Sequence, residues 1–178
     1  MKKKEIFVTN SAKQTQKFGE MLAKELRGGP ASPDKRACLA SRGGEIICLT
    51  GELGSGKTTF AQGVLKGLGV KGPYTSPTFL VMKHYKKEFP ISNFQFPNKS
   101  QITKLKTQKK YQIQNIYHID AYRVGPKDIL ELGWREIIAG KNNIVIVEWA
   151  ERIKSIVPKS AIWIKFEHKG KDKRIITL

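Results

Sequence analysis

The sequence predicts an α/β fold in three layers, with a mostly parallel central sheet and helices on both of its faces. Short segments rich in β-branched residues alternate along the chain with segments whose apolar residues recur at helical spacing, an order typical of strands and helices that pack as layers. Two of the strand-like segments, EIICLT at 45–50 and NIVIVEW at 143–149, are apolar without alternation. Such segments are typical of parallel strands that are buried on both faces.

The first part of the chain contains four predicted elements. EIFV at 5–8 is a short strand, and a helix at 12–27 follows it because the preceding SAKQ has the spacing of a capping box. Residues 28–44 are rich in glycine, proline and serine, which predicts a loop. EIICLT is the next strand, and a helix at 57–68 ends before a glycine.

The second part contains more strands than helices. TFLVMKHY at 78–85 and QNIYHID at 114–120 are predicted strands, and PKDILEL at 126–132 is a predicted helix with proline at its first position. NIVIVEW follows as a buried strand. AIWIKFE at 161–167 and RIITL at 174–178 flank a polar turn, which predicts a C-terminal β-hairpin.

The length and the charge indicate one basic domain. The chain has 178 residues, of which 39% are hydrophobic, so we expect a single domain over residues 1–178. Its net charge of +18 attracts polyanions such as RNA and nucleotides. Eight lysines and one acid lie between residues 83 and 115, which predicts a long, exposed basic insertion at about 86–114.

The composition also excludes several classes of protein. No apolar run approaches the ~18 residues of a membrane span, and the lysine-rich N-terminus lacks the apolar segment of a secretion signal. The two cysteines, Cys38 and Cys48, do not have metal-binding spacing. We therefore expect a cytoplasmic protein that does not contact a membrane.

The segment GELGSGKT at 51–58 matches the P-loop pattern and lies between a predicted strand and a predicted helix, as that pattern requires. Its glycines allow positive φ angles that turn backbone N–H groups around a phosphate, and the helix N-terminus adds partial positive charge. Lys57 is spaced to reach the β- and γ-phosphates, and Thr58 to ligate Mg²⁺. The fold is therefore predicted to be a P-loop NTPase-like domain. The residues predicted to bind the nucleotide are Glu52, Leu53, Gly54, Ser55, Gly56, Lys57, Thr58 and Thr59.

Such a site also needs an acid for Mg²⁺ or its water, usually at the end of a neighbouring strand. Glu148 and Asp120 each end an apolar strand, where the carboxyl ends of parallel strands face the ligand crevice. We favour Glu148 on the metal side and Asp120 as a water-orienting or indirect partner, although the sequence leaves the two roles open. The predicted catalytic residues are Lys57, Asp120 and Glu148; the predicted metal ligands are Thr58 and Glu148, with Asp120 as an alternative.

Other polar residues lie close to these motifs in the sequence. Ser76 and Thr78 belong to the tripeptide SPT, whose hydroxyls are candidates for contact with a γ-phosphate or metal. His118, two residues before Asp120, is interpreted as a structural histidine rather than an acid or base. Trp149 is interpreted as a packing residue, with a position near the nucleotide as the alternative.

Five segments in this order resemble the TsaE family, formerly YjeE: GELGSGKTTFAQGVLKGLGV, SPTFLVMKHY, IYHIDAYRV, ELGWREII and IVIVEWAERI. The resemblance spans about residues 45–153, and the joint presence of SPTF, HIDAYR and VEW is more specific than a P-loop alone. It implies ATP and Mg²⁺ as cofactors, with Mg²⁺ held by Thr58 and Glu148 and with hydrolysis that needs Asp120.

The resemblance also implies a function and partners. Members of the family are small P-loop ATPases that dock on TsaD and TsaB, the pair that transfers a threonylcarbamoyl group to an adenosine in tRNA. The expected function is thus a Mg-dependent ATPase that supports repeated turnover of that complex. Thr15, Glu151 and Arg152 match regions that enclose the nucleotide in relatives.

The chain departs from the family pattern at two segments, since 86–114 is longer and more basic than expected and 28–44 is also long. The first departure suggests direct contact with tRNA. Two alternative functions remain. A small-molecule kinase would normally carry an arginine-bearing lid, and the insertion has no arginine. An RNA-binding nucleotide-dependent switch suits the charge, but the guanine-reading NKxD pattern and an aromatic RNA-binding signature are missing from the sequence.

Overall fold

The computed structural model describes residues 4–26, 45–90 and 111–178, which form one seven-stranded sheet with helices on its faces. The strands are β1 (Ile6–Thr9), β2 (Glu45–Thr50), β3 (Met82–Pro90), β4 (Tyr111–Asp120), β5 (Asn143–Glu148), β6 (Ile162–Lys169) and β7 (Lys173–Thr177). The helices are α1 (Ala12–Leu26), α2 (Lys57–Gly67), α3 (Pro126–Glu131), α4 (Trp134–Ala139) and a 3₁₀ helix (Ala150–Ile156). The predicted α/β class is confirmed.

The strand order across the sheet is β1-β7-β6-β2-β5-β4-β3. The central strands β6, β2, β5 and β4 are parallel, whereas β3 is antiparallel at one edge and β7 with β1 is antiparallel at the other. The mostly parallel sheet and the C-terminal hairpin, β6–β7, are thus as predicted. Because the central strands run in one direction, the carboxyl ends of β2, β4 and β5 lie on the same side of the sheet. The P-loop, Asp120 and Glu148 are found there.

Strand β2 is buried on both faces, which explains its unbroken apolar sequence. Ile47 packs with Phe60 of α2 in the core between the sheet and helices α1 and α2. Cys48 packs with Trp134 in a second core, formed with α3, α4 and the 3₁₀ helix. Burial raises the pKa of the Cys48 thiol to about 12, so this cysteine is an inert core residue.

Helices α1 and α2 approach each other closely because glycines line their contact. A Cβ added to Gly63 would lie 1.9 Å from the carbonyl oxygen of Gln16, and one added to Gly19 would lie 2.3 Å from that of Phe60. Neither position has room for a side chain. This contact holds α2, and with it the P-loop, against the N-terminal helix.

We expect the substitution Gly63→Ala to destabilise the protein, although alanine normally favours a helix. The added methyl group collides with backbone rather than with a movable side chain, so the free energy of unfolding should fall by about 2 kcal/mol and Tm by about 4 to 8 °C. Thermal unfolding followed by circular dichroism measures the change.

Gly125→Ala is a matched control, because Gly125 has a φ of −110° and an added Cβ would lie at an ordinary contact distance, 3.8 Å, from Asp128 Oδ2. It should cost at most about 1 kcal/mol, the preference for glycine at a helix N-cap. A Tm for Gly63→Ala at or above that of the parent protein would contradict the close helix contact.

The predicted strand at 78–85 is wrong at its beginning. Strand β3 starts at Met82, and the preceding residues form a turn in which Leu80 N–H donates to Pro77 O at 2.8 Å. Val81 has a φ of 63°, which a strand does not allow. The apolar residues Phe79 and Leu80 suggested a buried strand, yet both are exposed.

Strands extend into both ends of the segment that was predicted as an insertion at about 86–114. Strand β3 continues to Pro90 and β4 begins at Tyr111, and the two strands pair antiparallel along this length. Lys86 and Lys87 suggested a loop because they are charged. They lie in an edge strand, where lysines are common because they oppose pairing with other chains.

Helix α4 and the 3₁₀ helix were not predicted, since six and seven residues are too few to show helical periodicity. Residues 91–110 and the predicted loop at 28–44 lie outside the described residues. Within the described ranges, no helix is long and apolar enough to cross a membrane.

Candidate nucleotide-binding site

The loop between β2 and α2 has a backbone conformation that depends on its glycines. Gly51, Gly54 and Gly56 have φ angles of 131°, 74° and 101°, a region that glycine adopts without steric cost. A Cβ at Gly51 would lie 2.2 Å from the carbonyl oxygen of Phe166. The loop ends at the N-terminus of α2, where backbone N–H groups have no intrahelical partner and favour an anion.

Lys57, the first residue of α2, is directed back toward this loop. Its exposed fraction is 4%, and Nζ donates to Gly51 O at 2.6 Å and to Glu52 O at 2.8 Å. Nζ also lies 3.7 Å from the centroid of a Trp149 ring, a cation–π contact. The ammonium group is thus held beside the loop by carbonyl oxygens and an aromatic face.

Nearby acids offset part of the cost of burying the charge of Lys57. Burial lowers the pKa of Lys57, whereas the negative charges of Glu148, Glu151 and Asp120 act in the opposite direction. Burial has the larger effect, so the carboxylates stabilise the charged amine only in part.

Trp149, for which the sequence favoured a packing role over a position near the nucleotide, lies beside the loop. Its ring lies against Lys57 Nζ and its centroid is 4.9 Å from that of Tyr122. Its φ of 57° turns the chain away from β5 directly after Glu148. The only available signal was its position at the end of that strand.

Thr58 and Glu148 are 90 positions apart in the sequence and meet in the site. The Thr58 hydroxyl donates to Glu148 Oε2 at 2.5 Å. Glu148 Oε1 accepts a hydrogen bond from His118 Nε2 at 2.8 Å. The Glu148 side chain is 1% exposed, so a buried carboxylate with both oxygens engaged lies next to the first turn of α2.

The oxygen atoms of Thr58 and Glu148 are suited to Mg²⁺ that binds together with a nucleotide. Among the described residues, no group of three or more His, Cys, Asp or Glu is arranged to hold a metal ion. The Thr58 hydroxyl and Glu148 Oε2 are nevertheless adjacent oxygen ligands. Mg²⁺ at such sites usually takes one or two protein ligands, with water and substrate phosphates completing its shell. The pair therefore fits the predicted cofactor.

Asp120 lies beside Glu148 in the paired register of β4 and β5. Its Oδ2 accepts hydrogen bonds from Thr78 Oγ1 at 2.5 Å and from Ser76 Oγ at 3.2 Å, and its Oδ1 accepts one from Tyr122 N–H at 3.0 Å. The SPT hydroxyls are thus brought to the site by Asp120. These bonds also explain why the segment before β3 forms a turn rather than a strand.

Thr15, which the family resemblance associates with the nucleotide, is buried next to the loop. Its hydroxyl hydrogen-bonds with that of Thr9 at 2.7 Å and donates to Ser11 O at 3.2 Å. Its methyl group lies 3.5 Å from the position of a Cβ on Gly56, and Cγ of Arg174 lies 3.8 Å from the same position. Thr15 therefore lies beside the Gly56 position of the loop.

The remaining predicted residues differ in exposure. Glu52, Leu53, Gly54, Glu151 and Arg152 are exposed, Ser55 is buried, and Thr59 is partly buried in the first turn of α2. Glu151 helps to line a cleft of about 510 Å³ beside the loop, together with Thr50, Gly51, Lys154, Trp163 and Lys165. The nucleotide contacts proposed for all of these residues stay predictions.

These features define the P-loop class of α/β proteins. A glycine loop joins the end of one parallel strand to a helix, and an acid lies at the end of the strand beside it in the sheet. A crystal structure of Bacillus subtilis YdiB has the same fold, with a TM-score of 0.64 and 24% identity over 99% of this chain and 85% of that chain. The sequence matches the family described as threonylcarbamoyl adenosine biosynthesis protein TsaE over residues 9–97 and 104–176. The chain belongs to the TsaE family.

Individual relatives agree with this assignment. The tRNA threonylcarbamoyladenosine biosynthesis protein TsaE of Rickettsia felis is 28% identical over 97% of this chain and 78% of its own length. The protein of the same name from Bacillus subtilis is 28% identical over 86% of this chain and 85% of its own length. The resemblance predicted from the motifs is confirmed. The family match is interrupted at 98–103, within the basic insertion predicted at about 86–114.

Proposed function

We propose that this protein is a cytoplasmic Mg²⁺-dependent ATP hydrolase that supports threonylcarbamoyladenosine modification of tRNA by acting on a TsaB–TsaD complex. The family supports the pathway. The observation that carries the hydrolase activity is the contact of Thr58 with Glu148 at 2.5 Å, beside a P-loop lysine. This is the oxygen pair expected to bind Mg²⁺ in a P-loop site.

The loop and Lys57 would bind the phosphates. Backbone N–H groups at the start of α2 favour the negative charge, and Lys57 would exchange its bonds to loop carbonyls for bonds to the β- and γ-phosphates. Thr58 and Glu148 would hold Mg²⁺, which neutralises charge on the β- and γ-oxygens when bound. These donors act on the charge that develops in the transition state.

Asp120 is the candidate for orienting the attacking water. Its carboxylate lies at the end of β4 beside Glu148, and its Oδ2 bonds to the Thr78 and Ser76 hydroxyls. A water replacing one of these hydroxyls would be bound to the carboxylate near the end of the phosphate chain. Asp120 therefore has a role in hydrolysis that is separate from that of Glu148.

The test is release of phosphate from ATP and from GTP, with and without a TsaB–TsaD pair, combined with a search for phosphorylated small molecules. We expect Mg²⁺-dependent release from ATP that increases when the partners are present. A phosphorylated small product would favour the kinase alternative instead. Absence of ATP binding and turnover, in folded protein with Mg²⁺ and both partners, would overturn the proposal.

The proposed function includes direct contact between the basic segment and tRNA. Residues 91–110 contain five lysines and no acid. We expect that changing all five to glutamine weakens tRNA binding and reduces its salt dependence, because each phosphate contact contributes about 0.7 to 0.9 to the slope of log affinity against log salt.

Filter binding at several salt concentrations measures this effect. Replacing 91–110 with a short glycine–serine linker is the matched deletion, since it keeps β3 and β4. Unchanged tRNA affinity at every salt concentration in both variants would reject the contact and leave the ATPase proposal unaffected.

A further inference from the structure

His118 lies in the interior of the site, and hydrolysis as described above assigns it no role. Its side chain and that of Glu148 are each 1% exposed, and its Nε2 lies 2.8 Å from Glu148 Oε1. Because an ionised carboxylate can only accept, Nε2 carries the hydrogen and donates it. Its other ring nitrogen, Nδ1, is buried and has no hydrogen-bond partner in the described part of the chain.

Packing alone does not explain why a histidine occupies this position, since Nε2 has a hydrogen-bond partner and Nδ1 has none among the described residues. A buried polar atom without a partner is unfavourable, and an apolar side chain of similar size would fill this position without that cost. The bond from Nε2 to Glu148 is the interaction that a histidine adds here. The residue therefore acts through the carboxylate.

We propose that His118 is a positioning residue for Glu148, and this rests on the proposed function. By donating to Oε1, His118 holds the carboxylate so that Oε2 is directed to Thr58 and is available to Mg²⁺. The terminal torsion of a glutamate is soft, so without His118 the Thr58 hydroxyl would be the one hydrogen-bond partner left to orient this group in the described part of the chain.

Residues that hydrogen-bond to a metal ligand affect how tightly the metal binds. Removing a hydrogen bond to a metal-ligating side chain typically weakens metal affinity or activity by about 10- to 100-fold. The predicted effect is therefore on the Mg²⁺ requirement of nucleotide binding, and not on the fold or on nucleotide binding without Mg²⁺.

Two substitutions of His118, with glutamine and with asparagine, each place an amide donor near one of the two ring nitrogens. His118→Gln has a donor near the position of Nε2, whereas the shorter His118→Asn has one near that of Nδ1 and does not reach Glu148. Both are smaller than histidine, so both leave a packing defect. We expect His118→Asn to weaken apparent Mg²⁺ affinity by about 10- to 100-fold and His118→Gln to retain it within about threefold.

The measurement is a Mg²⁺ titration of the binding of a fluorescent ATP analogue, with binding in EDTA recorded in parallel. Direct binding of Mn²⁺ in the presence of nucleotide, followed by electron paramagnetic resonance, is a second readout. A packing defect that loosens the site would weaken nucleotide binding both with Mg²⁺ and in EDTA. Loss of the Glu148 orientation would weaken only the binding that depends on Mg²⁺. His84→Asn is the control, because His84 lies on β3 in an exposed stack with Tyr117.

Each outcome decides the proposal. A Mg²⁺ dependence for His118→Asn equal to that of the parent protein overturns it, and so does an equal loss in His118→Asn and His118→Gln, since the bulk of the ring would then be what matters. If His118→Asn does not fold, His118→Phe keeps a ring without a donor and should show the same loss. A parent protein that binds no nucleotide with or without Mg²⁺ overturns the proposed function itself.

Discussion

Replacing Glu148 with alanine should lower the rate of ATP hydrolysis by about 10³-fold. The substitution removes the buried carboxylate that accepts from Thr58 at 2.5 Å and is expected to face Mg²⁺. Loss of one preorganised group that stabilises transition-state charge commonly costs about 10²- to 10³-fold in kcat, and loss of the metal ligand adds to this. Phosphate release with ATP, Mg²⁺ and the TsaB–TsaD pair measures the effect.

The folded state of this variant has to be checked, because His118 loses its only described hydrogen-bond partner. An unpaired buried polar group costs about 1 to 3 kcal/mol, which lowers Tm but leaves the protein folded at 25 °C. Glu148→Gln keeps the shape and serves as the second variant. Glu136→Ala, at an exposed position of α4, is the control. Turnover near the parent rate in folded Glu148→Ala would refute the role given to this carboxylate.

Replacing Lys57 with alanine should weaken nucleotide binding and lower kcat by about 10²- to 10³-fold. Lys57 Nζ lies 2.6 Å from Gly51 O, so its charge is already beside the loop that would surround the phosphates. Alanine leaves the backbone N–H groups of the loop in place but removes the cation that is proposed to contact the β- and γ-phosphates. Nucleotide affinity by calorimetry and phosphate release separate the two effects.

This variant should remain as stable as the parent protein to within about 4 °C in Tm. Burial lowers the pKa of Lys57, so at neutral pH the folded state carries a cost for holding the charged amine, and alanine removes that cost together with the hydrogen bonds. Lys66→Ala is the matched control on the same helix, since Lys66 is exposed and pairs with Glu20 at 2.7 Å. Equal loss of activity in both variants, or normal turnover in Lys57→Ala, would contradict the assignment.

Much of the fold could be predicted because its signals are local. The unbroken apolar segments of β2 and β5 reflect burial on both faces, and the P-loop is a contiguous pattern. The start of β3 could not be predicted, because the hydroxyls of Ser76 and Thr78 bond to Asp120, more than 40 residues away in the sequence. The continuation of β3 from Lys86 to Pro90 was not predicted, since an edge strand tolerates the lysines that otherwise indicate a loop.

The sequence by itself determined the α/β class, the phosphate-binding loop, the two acids and the family, because each depends on neighbouring residues or on their order along the chain. Only the tertiary structure decided which side chains meet. It brought Thr58 to Glu148, His118 to the other oxygen of that carboxylate, and Trp149 to Lys57. The physical reason is that contacts between strands and helices depend on register and packing across the sheet, which no local pattern encodes.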